Sequence, residues 1–167
     1  DNSFMYFRRI PADGNPSPGL RYAIGWGVSQ TGRFLRHFVY EGFNEDEQGR
    51  IVFDGIFDQV GGAGRGSFNH RFGQQSRDQL QHFNIHYPVD MFPFTDDDQR
   101  DPLTGATDGL LARARRTNTV PRMVHLLTNS EYFNRAGSLV HTDLTGTRDV
   151  PPPATSQPAI APHGPRS

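Results

Sequence analysis

Ser29 stands at the tip of G-V-S-Q-T-G, with Gly27 two residues before it and Gly32 three after. A serine hydroxyl attacks a carbonyl only when it is lifted clear of the chain and given a base. A strand, a tight turn with the serine at its tip and a helix do this, the arrangement called a nucleophile elbow. Small residues are needed because the serine backbone is strained and the helix must pack close to the strand. The usual spacing is G-x-S-x-G; here Thr31 holds the last position and the glycine comes one later. A strand–loop–helix corner with a capping serine fits the same residues.

Such a serine needs a histidine and an acid. Glu131 stands just past the apolar run Val120–Thr128, downstream of the serine, where the acid of a Ser…Asp/Glu…His order falls. On position alone, an exposed loop glutamate fits equally. Asp58, near the end of Ile51–Val60, is the alternative acid, and Asp54 would serve only if a bulge exposed it. His82 and His86 are four apart, a zinc spacing on a helix, but Phe83 replaces the glutamate of H-E-x-x-H, and no metal is expected. Glu45–Glu47 and Asp96–Asp98 with Asp101 read as solvated loops. Gly61–Gly66 lacks the G-K-[ST] ending of a phosphate loop and reads as a flexible strand exit. Arg65 within it reads as a surface arginine, or as one that meets a substrate carboxylate.

Positioning these groups requires a sheet. Tyr22–Val28, Ile51–Val60 and Val120–Thr128 read as strands, the first apolar on both faces and suited to a buried parallel sheet. Gln30–Gly42 reads as a helix with Phe34, Leu35, Phe38 and Val39 on its apolar stripe and Arg33, Arg36 and His37 off it. A second helix is expected over 107–118. Residues 67–105 mix Phe68, Phe72, Phe83, Phe92 and Phe94 with polar groups, the make-up of a lid over an apolar pocket. Thirteen prolines and eighteen glycines imply long irregular stretches, and residues 1–19 read as mostly loop. Residues 151–167 are proline-rich and read as a disordered tail.

A net charge of -1 gives no electrostatic case for nucleic acid or an anionic membrane. The absence of cysteine excludes disulfides and thiolate chemistry.

Five segments agree in order with a known family: Gly27–Arg36 (G-V-S-Q-T-G-R-F-L-R), Gly42–Glu47, Arg65–Phe72, Asp101–Leu111 and Thr128–Asp143. Over roughly Leu20–Pro153 the chain resembles a family of α/β-hydrolase domain proteins of bacteria and some fungi. The resemblance implies a three-layer α/β-hydrolase fold, here incomplete, over 1–150. It maps the nucleophile onto Ser29 and the acid onto Glu131. The family's histidine follows one more strand in a segment ending H-G-P, which here is His163–Pro165, without an apolar strand before it. The strands before the elbow are also absent, so the chain reads as an internal piece, inactive alone.

The expected chemistry is hydrolysis of a small-molecule ester through a Ser29–His163–Glu131 triad. The backbone N–H of Gln30 would donate to the oxyanion, and no cofactor is needed. The rival readings are a non-catalytic α/β binding module and metal-dependent hydrolysis through His82 and His86.

Overall fold

The computed structural model describes residues 20–66, 68 and 91–151, and the backbone of Ser156–Ile160. Strand β1 (Ile24–Val28) passes through Ser29 into helix α1 (Gln30–Tyr40), and β2 (Gly55–Gln59) follows. A short ribbon pairs β3 (Gln99–Arg100) with β4 (Thr107–Asp108). Helix α2 (Ala112–Arg116), β5 (Arg122–Leu127), α3 (Asn129–Asn134), a 3-10 turn (Gly137–Val140) and β6 (Ser156–Ile160) complete the order. The main sheet runs β1-β2-β5-β6, and every pairing in it is parallel. Parallel strands end at one edge, so the residues that follow β1, β2 and β5 share a rim.

Helix α1 covers one face of this sheet. Leu35 and Val39 from the helix meet Ile56 and Met123 from the strands, with Leu110 and Leu111 closing the cluster. A two-residue period points Gly25 and Gly27 at α1, where a Cβ on Gly25 would lie 3.3 Å from Leu35 Cδ2. It points Ile24 (70% exposed) and Trp26 (69% exposed) the other way. The expectation of a strand buried on both faces therefore fails: β1 ends the sheet order and only its α1 side is covered among the described residues. The C-terminus of α1 closes as a Schellman motif. Phe43 N donates to Phe38 O (3.1 Å), Gly42 N donates to Val39 O (3.0 Å), and the Phe38 and Phe43 rings are in contact.

Three further expectations need correction. Arg33, Arg36 and His37, placed off the apolar stripe, are buried, while Phe34 is exposed. The second helix is only Ala112–Arg116. Before it, Leu110 N and Leu111 N donate to Thr95 O and Asp96 O, tying that turn to another segment instead of to itself. In the stretch read as a disordered tail, β6 pairs with β5, Pro158 lying opposite His125. An edge strand tolerates proline because half of its amides face away from its one neighbour. No helix among the described residues is long and apolar enough to cross a membrane.

Candidate active site

Ser29 sits between β1 and α1 with φ 55° and ψ −116°. An L-residue in such a conformation costs about 1–3 kcal/mol and persists only where its surroundings enforce it. Here they do. Ser29 N donates to Gln59 O (2.8 Å), Arg33 N to Ser29 O (3.1 Å), and Thr31 Oγ1 to Val28 O (2.7 Å). A Cβ on Gly27 would lie 2.5 Å from Thr31 O, and one on Gly32 would lie 3.1 Å from Gly27 O. The two glycines are steric requirements of the corner. Ser29 is exposed and its side chain makes no capping hydrogen bond, so the serine is not there as a cap. Gln30 is the first residue of α1, where helix amides precede the internal ladder and point outward along the axis.

Glu131 lies on the same rim. Helix α3 starts directly after β5 with Thr128 as its N-cap, and Glu131 is the third residue of a reciprocal capping box. Thr128 N donates to Glu131 Oε2 (3.2 Å), and the Thr128 hydroxyl donates to the same oxygen. Only β2 separates β1 from β5, so the two strand ends are about 10 Å apart across the sheet. The exit of β2, expected to be flexible, is buried and stitched to α3: Ala63 N donates to Arg135 O at 3.0 Å. His163 lies outside the described residues, three positions beyond the end of β6. His70, His82 and His86 also lie outside them, and the described residues hold no group of three metal-ligating side chains.

Beneath the elbow is a charged layer that the sequence reading did not assemble. Arg36, Asp58, Asp96 and His125 are each at most 3% exposed. Arg36 Nη2 donates to Ala63 O (2.5 Å) and Phe94 O (2.9 Å), and Arg36 Nη1 lies 3.8 Å from Asp58 Oδ2. His125 Nε2 lies 3.2 Å from both oxygens of Asp96. His125 Nδ1 lies 3.0 Å from Arg36 Nη1 and 3.3 Å from Asp58 Oδ2. It can accept from Arg36 when the ring is neutral, or donate to Asp58 when the ring is charged, but not both. Burial alone would strip the imidazolium of its proton; the Asp96 charge and the hydrogen bonds to Asp58 and Asp96 outweigh burial and the Arg36 charge, raising the His125 pKa. The available signal was a histidine inside an apolar strand, which must find partners when buried.

The other candidates fall elsewhere. Asp58, the alternative acid, is wholly buried in this layer. Asp54 precedes β2, at the opposite edge of the sheet from Ser29, and its Oδ2 accepts from Ala23 N (2.7 Å). Arg65 is packed 4.1 Å over the Tyr40 ring, near the end of α1, with Glu41 at 3.9 Å and Phe92 O accepting from its Nε. Asp46, read as solvated, is buried and accepts from the amides of Gln48 and Arg50. Asp96, also read as solvated, belongs to the buried layer. On the rim side, His141 Nδ1 lies 3.2 Å from Asp149 Oδ1, and its Nε2 lies 3.2 Å from Tyr132 Oη.

The elbow, the parallel sheet and the helix behind it are the architecture of one large class, and the family comparison agrees. An α/β-hydrolase domain model matches residues 5–148. The chain belongs to that α/β-hydrolase domain family, and the described sheet with α1 is its fold in part. No curated protein and no solved structure matches it.

Proposed function

We propose that this chain carries the nucleophile of a serine hydrolase acting on carboxylic esters. The observation that carries the reading is Ser29, held at φ 55° and exposed at the rim where β1 meets α1. Its oxygen attacks the ester carbonyl, a histidine takes its proton, and the oxyanion forms against the Gln30 N–H. The same histidine returns the proton to the departing alcohol. Water then gives its proton to that histidine and attacks the acyl carbon; the acyl–serine bond breaks, the histidine returns the proton to the Ser29 oxygen, and the acid is freed. Glu131 orients the histidine. Thr128 already engages its Oε2, so Oε1 is the oxygen that meets the imidazole. The resemblance assigns that imidazole to His163. The appearance of β6 before it supports the assignment, since the family's histidine follows a strand.

The test uses the complete open reading frame with an aryl acetate and a fluorophosphonate probe. Ser29 is expected to be the labelled residue, and Ser29→Ala to abolish labelling and cut kcat/KM by about 10⁴-fold or more. Labelling that survives Ser29→Ala refutes the assignment.

A further inference from the structure

We propose that Asp58 is a positioning residue for Ser29, its carboxylate wedged under the first turn of α1 and anchored from behind by His125 and Arg36. The inference rests on Ser29 being the nucleophile. Asp58 Oδ2 faces His125 Nδ1 at 3.3 Å and Arg36 Nη1 at 3.8 Å. Asp58 Oδ1 has no hydrogen-bond donor among the described residues, and it fills the slot between Gly32 and Gly61 so closely that a Cβ on either would collide with it.

An anionic oxygen buried without a donor is costly, and a residue serving only to fill that slot would not be charged. What this oxygen does meet is the start of an eleven-residue helix, the end that carries partial positive charge. The attraction holds the first turn of α1 down onto the end of β2. The next residue of β2 completes the grip, because Gln59 O accepts the Ser29 N–H at 2.8 Å. Adjacent residues of one strand thus fix both sides of the corner: Gln59 fixes the serine amide, and Asp58 the turn that follows it. Arg36 lies on α1 itself and reaches back to the carbonyls of Ala63 and Phe94. The helix is thereby pinned at its start by Asp58 and one turn later by Arg36. Arg36 and His125 together balance the charges of Asp58 and Asp96, so the layer does not oppose an oxyanion forming at the Gln30 N–H.

The experiment compares full-length protein with Asp58→Asn, which keeps the shape and removes the charge. Fluorophosphonate labelling of Ser29 is expected to slow by about 10- to 100-fold, and kcat on an aryl acetate to fall equally with KM within about twofold, the pattern of a displaced nucleophile. Labelling and kcat at the wild-type level, with only a lower melting temperature, overturn the proposal and leave Asp58 a structural residue. His125→Gln, a change on β5, removes one of the two groups that anchor Asp58 from behind and keeps the question open to decision if Asp58→Asn does not fold. Slowed labelling supports the proposal, and wild-type labelling overturns it. A wild-type protein that does not label at Ser29 at all refutes the nucleophile assignment itself, a result distinct from an Asp58 variant matching a reactive wild type.

Discussion

The fold carries two aspartate–histidine arrangements that share residue types and little else. His125, 1% exposed, lies between Asp58 and Asp96 with Arg36 against its Nδ1. His141, with its side chain 22% exposed, pairs with an Asp149 side chain 85% exposed and touches Tyr132. In the first, four charged groups come from α1, β2, β5 and the segment before β3, so the layer joins the whole core. In the second, all three partners lie within eighteen residues of one another, and water competes for each contact. The lesson is that a histidine–carboxylate pair does not by itself mark chemistry. Removing one partner of a buried pair strands the other, whereas an exposed pair returns to solvent.

Arg36→Met tests the buried half most severely. Asp58 would then face His125 without the guanidinium, and the carbonyls of Ala63 and Phe94 would lose their donor. A loss of about 3–5 kcal/mol is expected, read as a lowered urea midpoint. A cost like that of a surface change would break the contrast. Gly32→Ala comes next. Its Cβ would collide with Asp58 Oδ1, so the carboxylate or the first turn of α1 must shift, at about 1–3 kcal/mol. The same substitution at the exposed Gly146, which has open space but φ 68°, would cost only its backbone strain, about 1 kcal/mol.

The corner at Ser29 was legible because its signal is steric. Gly27 is demanded by the backbone of Thr31 and Gly32 a few residues away, so its spacing carries the geometry; Gly32 is held small chiefly by the distant Asp58 Oδ1, with Gly27 O close beside it. The placement of Glu131 was legible as a residue just past a strand, and its capping box is legible in T-x-x-E. The buried layer was not legible as a unit. Leu35 and Val39 define a clear stripe, and periodicity places Arg33, Arg36 and His37 off it. What overrides that placement for Arg36 are partners from distant segments: Asp58, His125 and the carbonyls of Ala63 and Phe94. Likewise β6 has weak strand character and a central proline; it exists because β5 offers it a ladder. The helix expected over 107–118 is shorter, Ala112–Arg116, because the amides of Leu110 and Leu111 bond to residues 95 and 96.

Proton uptake sharpens the comparison further. The folded His125 pKa lies above its ordinary value, near 6.5, so its contribution to stability is fully present below about pH 6.5 and is lost as pH rises through the folded pKa. The urea midpoint should therefore be lower at pH 9 than at pH 6, and His125→Gln should flatten that difference. The effect should be smaller than that of Arg36→Met, because Arg36 remains to face Asp58 and the neutral ring can accept from Arg36 Nη1. A midpoint that rises with pH in wild type but not in His125→Gln would show that the ring is neutral when folded.

The smallest effect belongs to the rim. Asp149→Asn removes the charge beside His141 Nδ1 but leaves a side chain able to accept the same hydrogen bond. With Asp149 so exposed, the change in stability should be under about 1 kcal/mol and should shrink further in high salt. The contact that remains is inward: Tyr132 stacks on the His141 ring, centroids 5.8 Å apart, and its hydroxyl meets Nε2. Tyr132 adjoins Glu131 on α3, so His141 is held to the helix that carries the proposed acid even without Asp149. If Asp149→Asn nonetheless slows labelling of Ser29 at unchanged stability, the exposed pair is coupled to the reaction, and exposure ceases to separate the structural histidine from the chemical one.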